Sequence, residues 1–308
     1  MKQSPMFTIQ VPGSTANLGP GFDSIGLAVS KYLIVDVFSS EAWQCEAKSQ
    51  LLEGIPTDES NLLFQTALEV AYEYKKQLPY CRLEITSDIP LTRGLGSSAS
   101  AIVSGIELAN VLCDLQLSMQ EKLELACVME GHIDNVGASL YGGLVVGTYD
   151  GQYAALVNKH IEEVELVAII PSYELKTSDA RSVLPSELSY AEAIQGSGVS
   201  NLLVAALLQE DWKLAGEAMR RDLFHEPYRI ALIPELCALQ AMPDHPDVYG
   251  FALSGAGPTV LCYVRKGTAQ HIKQELEAHF SSSTVEVLYV VNEGVKTISH
   301  QYKGLESY

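Results

Sequence analysis

Hydrophobic and polar residues alternate in several short segments of this chain and cluster in longer ones between them. Alternation and β-branched or aromatic residues predict strands, and the longer segments predict helices. The predicted strands are 7–11, 25–29, 32–38, 82–87, 142–148, 164–170, 249–253, 259–264 and 285–291. The predicted helices are 61–78 with Ser60 as N-cap, 97–113, one from the Ser118/Glu121 capping box to 130, 189–209, 211–222, 234–241 and 268–280.

Strands and helices interleave in both halves of the chain, which favours a two-domain α+β enzyme. The length of 308 residues agrees, since a domain usually has roughly 150 residues. We place the domain boundary before the strand at 164–170. The predicted domains are therefore residues 1–162, which bind the nucleotide if the protein uses one, and residues 163–308.

Composition narrows the classes of partner. The chain has 20 Lys and Arg against 38 Asp and Glu, a net charge of −18, so most of its surface would repel nucleic acid. ATP is still compatible, because local backbone N–H groups and a metal can hold one nucleotide. Residues 1–10 do not resemble a signal peptide, and from the sequence we expect no apolar run to approach the roughly 20 residues of a membrane span. We therefore expect a cytoplasmic protein without a membrane or nucleic-acid partner.

A glycine-rich segment between a predicted strand and a predicted helix carries the strongest chemical signal. It consists of Pro90, Leu91, Thr92, Arg93, Gly94, Leu95, Gly96, Ser97, Ser98, Ala99 and Ser100. Glycines let a backbone approach an anion, and the first N–H groups of the following helix attract it. The segment lacks the Gly-Lys-Ser/Thr ending of a Walker loop and is not a dinucleotide GxGxxG motif. From local physics alone, an ordinary strand-to-helix turn remains an equal alternative.

This segment is similar to the phosphate-binding motif of the GHMP kinases, a family named for galactose, homoserine, mevalonate and phosphomevalonate enzymes. Residues 11–23 (VPGSTANLGPGFD) resemble the N-terminal motif of that family in the form found in its homoserine-phosphorylating branch. Residues 252–259 (ALSGAGPT) resemble its C-terminal glycine-rich motif. Residues 130–136 (EGHIDNV) resemble a Glu-Gly-His-Pro-Asp-Asn motif, with Ile133 in place of Pro. The four motifs occur in the expected order and span most of the chain.

The resemblance implies a fold and an activity. The fold is a ribosomal-protein-like N-terminal domain with a left-handed βαβ crossover, followed by a ferredoxin-like C-terminal domain, with ATP in the cleft between them. The activity is phosphorylation of the L-homoserine hydroxyl to O-phospho-L-homoserine, a step of threonine biosynthesis, and homodimers are common in the family. Mevalonate- or sugar-type kinases are the first alternative, but those relatives carry Lys or Arg near the position of Ser14. An inactive ligand sensor is the second alternative.

Glu124 is the residue that we single out as a metal ligand. It precedes the apolar run 125–129, and a carboxylate in apolar surroundings is costly unless it is paired or bound to a metal. Pairing with Lys122, or plain solvation, is the alternative. The resemblance implies a helical Glu eleven residues before the residue in the catalytic position, and Glu124 has this spacing to Asn135. It thus implies that Glu124 and Ser98 hold Mg²⁺, and that Asn61 joins the glycine-rich segment in binding ATP.

An amino-acid substrate needs a cation for its carboxylate, an anion for its ammonium group and a polar group for its hydroxyl. Arginine binds carboxylates bidentately, and the resemblance points to Arg181 and Arg229, for which surface ion pairs are the alternative. It implies that Asp23 binds the ammonium group and that Asn17 or His132 binds the hydroxyl. Thr177 and Gly255 complete the predicted substrate site.

The base of the reaction is the last prediction from the sequence. Mevalonate-type relatives use an Asp, and the spacing from Glu124 puts Asn135 in that place, where an amide cannot take up a proton. Its neighbour Asp134 could serve if the turn is shifted by one residue. We expect a mechanism without a protein base, in which Asn17, His132 and Asn135 arrange the hydroxyl and Asp134 stays the alternative base.

Overall fold

Two β-sheets organise residues 4–300, the part of the chain that this computed structural model describes. Their eleven strands are β1 (Phe7–Ala16), β2 (Ile25–Ser39), β3 (Gln44–Ala47), β4 (Cys81–Ser87), β5 (Leu144–Tyr149), β6 (Ala154–Lys159), β7 (Val164–Pro171), β8 (Val248–Leu253), β9 (Val260–Arg265), β10 (Ser283–Tyr289) and β11 (Lys296–Ser299). The first sheet contains β1 to β6 and β11, and the second contains β7 to β10. The predicted strands are all present, and β3, β6 and β11 were not predicted.

Ten α-helices connect the strands. They are α1 (Leu62–Glu73), α2 (Ser97–Leu112), α3 (Met119–Glu130), α4 (Asp134–Tyr141), α5 (Thr177–Ser182), α6 (Tyr190–Gln209), α7 (Trp212–Met219), α8 (Glu226–Arg229), α9 (Pro234–Ala241) and α10 (Ala269–His279). The predicted capping box of α3 is present, with Ser118 and Glu121 bonded reciprocally. The predicted N-cap of α1 is wrong, because Asn61 and not Ser60 caps it by accepting a hydrogen bond from the backbone N–H of Leu63.

The first sheet is built around β2, one strand of 15 residues where two were predicted. It pairs with β1, β4 and β5, all antiparallel. Strands β3 and β4 run parallel and are joined through α1, so they form the crossover unit that the resemblance implies. The handedness of that crossover stays a prediction.

The second sheet confirms the ferredoxin-like prediction. Its strands lie in the order β10-β7-β9-β8, and every neighbouring pair is antiparallel. If β7, β8, β9 and β10 are counted one to four, the order is 4-1-3-2, with α10 between the third and fourth strands. The segments that follow β7 and β8 carry the residues of this half that line the cleft, among them Thr177 and Gly255.

The chain end returns to the first sheet. Strand β11 pairs with β1, with Phe7 opposite Ser299, and Asn292 exchanges hydrogen bonds with the backbone of Ile161. The assignment of all residues from 163 onwards to the C-terminal domain therefore does not hold for β11. The boundary between residues 162 and 163 stays a prediction.

Helix α6 bears on the expectation that no apolar run is long enough to span a membrane. It has 20 residues, and it is the one described helix that is long and apolar enough to cross a membrane by length and composition. The sequence interpretation overlooked it. The helix packs against α7 with a buried face formed by Gly196, Leu203, Ala206 and Leu207, and length and composition alone are weak evidence for a span.

Candidate active site

A cleft of about 140 Å³ lies where the two sheets meet. Its walls come from four loops that follow β1, precede α2, precede α4 and follow β8, and from helices α5 and α8. The residues that line it are Asn17, Phe22, Asp23, Thr92, Gly94, Gly96, Ser97, Ser98, Glu130, His132, Asp134, Asn135, Leu175, Thr177, Arg181, Arg229, Gly255, Ala256 and Gly257. All four sequence motifs therefore meet in this cleft.

The glycine-rich segment packs so closely against its neighbours that side chains would not fit. Gly94 and Gly96 have φ angles of +78° and +75°, a region that glycine adopts at little cost. A Cβ on Gly94 would lie 2.2 Å from the carbonyl oxygen of Ser254, and one on Gly96 would lie 2.1 Å from Oγ of Ser14. Helix α2 begins directly after Gly96 without a side-chain cap. Its first N–H groups are therefore left for an anion.

Other members of the predicted segment support the loop instead of facing the cleft. Arg93 donates hydrogen bonds to the carbonyl oxygens of Leu91, Pro171 and Ser172 and so ties the loop to β7. Ser100 donates to the carbonyl oxygen of Ser97. The remaining four that do not line the cleft are Pro90, Leu91, Leu95 and Ala99. Five of the eleven predicted residues thus line the cleft.

A second, mostly apolar cavity of about 290 Å³ adjoins the loop on its other side. It shares Thr92, Ser97 and Ser98 with the cleft, and Leu33, Leu52, Ile85 and Ala101 are among its walls. Asn61 also lines it, although its amide already bonds the N–H of Leu63 and the carbonyl oxygen of Pro56. The two cavities are therefore neighbours on either side of the glycine-rich loop.

The carboxylate at the loop belongs to Glu130, and the structure does not bring Glu124, the metal ligand predicted from the sequence, to the cleft. Glu124 is exposed, does not line the cleft and accepts a hydrogen bond from Nε2 of Gln120. Glu130 lies at the end of α3 and accepts a hydrogen bond of 2.9 Å from Oγ of Ser98. Burial raises the pKa of Glu130, although His132 and Ser98 lower it. A bound cation would offset this cost of burial.

His132, Asp134 and Asn135 form one hydrogen-bonded group at the start of α4. One oxygen of the buried Asp134, Oδ1, accepts hydrogen bonds from Nδ1 of His132 at 2.8 Å and from the backbone N–H of Asn135 at 2.6 Å. Burial lowers the pKa of His132, but the hydrogen bond and charge of Asp134 and the charges of Glu130 and Asp23 outweigh it and raise the pKa to about 9. His132 is therefore a cation at neutral pH. Oδ1 of Asn135 accepts a hydrogen bond from Ser14.

Asn17 and Asp23 line the cleft from the loop that follows β1. Asn17 is buried with a φ of +76°, and its amide donates to the carbonyl oxygen of Gly255 and accepts from the N–H of Asp23. Asp23 binds the guanidinium of Arg181 bidentately, at 2.7 and 3.1 Å. The predicted anion and one predicted cation for the substrate are thus paired with each other in this structure.

Arg229 is the second cation of the cleft and is almost fully buried. Its Nε donates to the carbonyl oxygen of Ala180, and its Nη1 donates to the carbonyl oxygen of Gly255 and to Nδ1 of His225. Nη2 makes no hydrogen bond with the described residues, so it is the free donor beside the cleft. Burial lowers the pKa of Arg229 to about 10, with nearby Arg181 adding to the effect. Its charge is retained at neutral pH.

His225 and Phe22 complete the site, and neither was predicted. Nδ1 of His225 must accept from Arg229, so its Nε2–H donates to the carbonyl oxygen of Gly19, 2.9 Å away. Burial lowers the pKa of His225, which agrees with this neutral form. Phe22 stacks on His225 and contacts the guanidinium groups of Arg181 and Arg229. Phe22 lies in segment 11–23 and His225 begins segment 225–229. Only the fold reveals that these two segments are close to each other.

Known proteins share both sequence and fold with this chain. The GHMP kinase N-terminal domain model matches residues 61–143, and the C-terminal model matches residues 203–282. The homoserine kinase of Bacillus velezensis is 50% identical over 289 residues, 94% of each chain. The crystal structure of homoserine kinase from Cytophaga hutchinsonii has a TM-score of 0.80 and 28% identity, and covers 97% of this chain and 98% of its own. A mevalonate kinase structure at 15% identity shares the fold, with a TM-score of 0.66 over 93% of this chain and 99% of its own.

Proposed function

The chain belongs to the GHMP kinase family, and on this premise we propose that it is a homoserine kinase. It transfers the terminal phosphoryl group of ATP to the side-chain hydroxyl of L-homoserine and forms O-phospho-L-homoserine. The relatives that cover nearly the whole chain at about half identity carry that name. Sugar- or mevalonate-type kinase activity and a ligand sensor are less favoured, because the charges of the cleft match an amino acid.

The observation that carries the proposal is the mixed charge of the cleft. Arg181 and Arg229 supply two guanidinium groups, and Asp23 supplies a carboxylate. A zwitterion satisfies both signs, with its carboxylate on the guanidinium groups and its ammonium on Asp23. A sugar has neither charge, and mevalonate lacks the ammonium. The cleft of about 140 Å³ suits a molecule as small as homoserine, and Thr177 and the 255–257 backbone border the same space.

The nucleotide would occupy the two neighbouring cavities around the glycine-rich loop. The mostly apolar cavity suits the adenine ring. The loop and the uncapped start of α2 suit the phosphates, because their N–H groups are free and the helix dipole favours anions. This orientation directs the terminal phosphate towards the cleft that holds His132 and Arg181.

The residues at the loop also fit a magnesium ion. Mg²⁺ prefers one or two carboxylates together with phosphate oxygens and water, and Glu130 with Ser98 supplies one carboxylate and one hydroxyl at the loop. When bound, Mg²⁺ neutralises phosphate charge. Glu130 replaces Glu124 in this role, and Ser98 keeps the role predicted for it.

The chain itself orients the hydroxyl and stabilises charge. Asn17 and Asn135 both line the cleft and offer polar groups to the hydroxyl, and the imidazolium of His132 stabilises negative charge that builds up on the transferred group. Oδ1 of Asp134 is already engaged with His132 and Asn135, so we assign Asp134 to positioning. The hydroxyl proton then leaves late, to a phosphate oxygen, as a loose transition state allows.

The wider setting follows from the same activity. O-phospho-L-homoserine is the product that threonine biosynthesis requires, and we place the enzyme in the cytoplasm with its small-molecule substrates. We propose no nucleic-acid or membrane partner and a homodimer as the working state.

Analogues that each lack one charge test the proposal. Aminopropanol keeps the hydroxyl and ammonium but lacks the carboxylate, and γ-hydroxybutyrate lacks the ammonium. We expect kcat/KM, measured by coupled ADP release, to fall by about 100-fold or more for each analogue relative to L-homoserine, since an unmatched buried charge costs roughly 3 kcal/mol. Equal turnover of γ-hydroxybutyrate or mevalonate would contradict the proposed substrate.

A further inference from the structure

A large cavity lies away from the active site, in the second domain. It has a volume of about 720 Å³, against about 140 Å³ for the cleft. Helices α9 and α10 and the strands β8 and β9 enclose it. Its walls are mainly apolar and include Leu239, Met242, Val248, Phe251, Ile272 and Leu276. Cavities of this size and polarity are typical of small-molecule sites.

One carboxyl group, that of Glu226, faces the inside of this cavity. Glu226 lines the cavity and is only 5% exposed. Its Oε1 accepts a hydrogen bond of 2.6 Å from the backbone N–H of Leu253, whereas its Oε2 makes no hydrogen bond within residues 4–300. Burial, reinforced by Asp222, raises the pKa of Glu226 to about 8, although the Leu253 N–H and Arg229 lower it. At neutral pH the group is therefore mostly protonated, and it can donate a hydrogen bond that no described residue accepts.

The charged residues at the rim of the cavity pair with one another. Arg220 binds Asp244 at 2.6 Å, and Nε2 of His245 lies 3.6 Å from Oε2 of Glu275. Arg220 and Asp244 cancel each other's charge, so the charge of Glu275 is the one that stays uncancelled among these four residues when His245 is neutral. Because the walls are mainly apolar and Glu226 is mostly protonated, a ligand that matches the interior is uncharged, mostly apolar, and carries a hydrogen-bond acceptor at its inner end.

Helix α8 connects this cavity to the active site. Glu226 opens the helix and Arg229 ends it one turn later, so the two side chains leave one short helix towards two different sites. The carboxylate of Asp222 fixes this turn by accepting from the N–H groups of His225 and Glu226. A ligand that holds Glu226 would also hold the turn that presents Arg229.

We propose that the cavity is a second binding site, which takes a small neutral molecule with an apolar body and a carbonyl-type acceptor that bonds to Glu226. Occupancy stabilises α8 and thereby strengthens binding of the substrate carboxylate at Arg229. The second statement rests on the proposed function, whereas the first does not.

Three probes of one skeleton test the binding. Acetophenone carries a carbonyl acceptor, α-methylbenzylamine carries a cation in its place, and ethylbenzene carries neither. In ligand-observed NMR and thermal unfolding of the full chain, we expect acetophenone to bind and to raise Tm more than either analogue does. Glu226→Gln keeps a donor and should keep this preference. Val248→Phe narrows the cavity and should abolish it, whereas Val157→Phe adds the same bulk at an exposed position of β6 and should not.

Saturating acetophenone should also lower KM for homoserine by roughly five-fold, the lower end of usual coupling between sites, and leave KM for ATP unchanged. Tighter binding of the amine, or of ethylbenzene, would overturn the proposed ligand class. An unchanged KM for homoserine despite bound acetophenone would overturn the coupling. If homoserine were not a substrate at all, the NMR and Tm results would still decide whether the binding site exists.

Discussion

Replacing Glu130 by Gln tests which carboxylate of helix α3 supports phosphoryl transfer. Glu130 contacts Ser98 at the phosphate-binding loop, whereas Glu124, two turns earlier on the same helix, is exposed. If Glu130 holds Mg²⁺ against the phosphates, its carboxylate stabilises charge in the transition state. Loss of one such group usually lowers kcat by about 100- to 1,000-fold, or roughly 3–4 kcal/mol.

The same change should not unfold the protein. Burial raises the pKa of Glu130, so the ionised carboxylate lowers stability as the pH rises above its unfolded pKa, and an uncharged amide removes this cost. The Oε1 of Gln can still accept the hydrogen bond from Ser98. We therefore expect Tm at pH 7 to stay equal or to rise.

Glu124→Gln is the matched control, because it makes the same change of charge on the same helix. Coupled ADP release against the concentration of MgCl₂ should show a severe defect for Glu130→Gln and normal kinetics for Glu124→Gln. Near-normal turnover of Glu130→Gln at millimolar Mg²⁺ would refute the assignment. A larger defect for Glu124→Gln would restore the interpretation drawn from spacing.

Three further predictions concern the walls of the cleft. Both Arg181→Leu and Arg229→Leu should raise KM for homoserine far more than KM for ATP. Only Arg229→Leu should also lower Tm, because it leaves the carbonyl oxygen of Ala180 and Nδ1 of His225 without the donor that they have in the wild type. Equal effects on both KM values would assign the arginines to structure. The pKa of His132 is raised to about 9, so the stability that its charge adds is complete below about pH 6.5 and is lost as the pH rises through about 9. The Tm difference between wild type and His132→Gln should therefore shrink over that range. A constant difference would contradict the charge assignment. Asp134→Asn should retain measurable kcat and lower Tm, while Asn135→Asp should reduce kcat. If Asp134→Asn instead abolishes kcat at unchanged Tm and KM, Asp134 is the base.

The predicted strand boundaries failed where polar residues serve a contact between the sheets. Ser30 and Lys31 interrupt the apolar run and suggested two strands, yet β2 passes through them without a break. Lys31 binds Glu286 of β10 at 2.6 Å, and Ser30 accepts a hydrogen bond from the N–H of Tyr289. Sequence alone shows a polar pair but not the second sheet that it faces. The short strands β3 and β11 were missed for a similar reason, since their partners are distant in the chain.

The sequence motifs brought the right segments together but did not assign every residue within them. The glycine positions were predictable because positive φ angles and close backbone contact leave few other residues. The choice between Glu124 and Glu130 was not predictable in the same way, because counting along α3 gives no information on which turn faces the loop. Glu130 is the first residue of the EGHIDNV motif at 130–136. That motif was the signal that could have directed the choice of carboxylate to Glu130.

Identification of the product tests the central claim most directly. The full chain, incubated with ATP, MgCl₂ and L-homoserine, should yield one phosphomonoester by phosphorus NMR, coupled to the protons of a CH₂ group and formed in equal amount to ADP. Mevalonate and galactose under the same conditions should yield none. ADP formed without a homoserine phosphomonoester, or a phosphomonoester formed from mevalonate or galactose instead, would contradict the account.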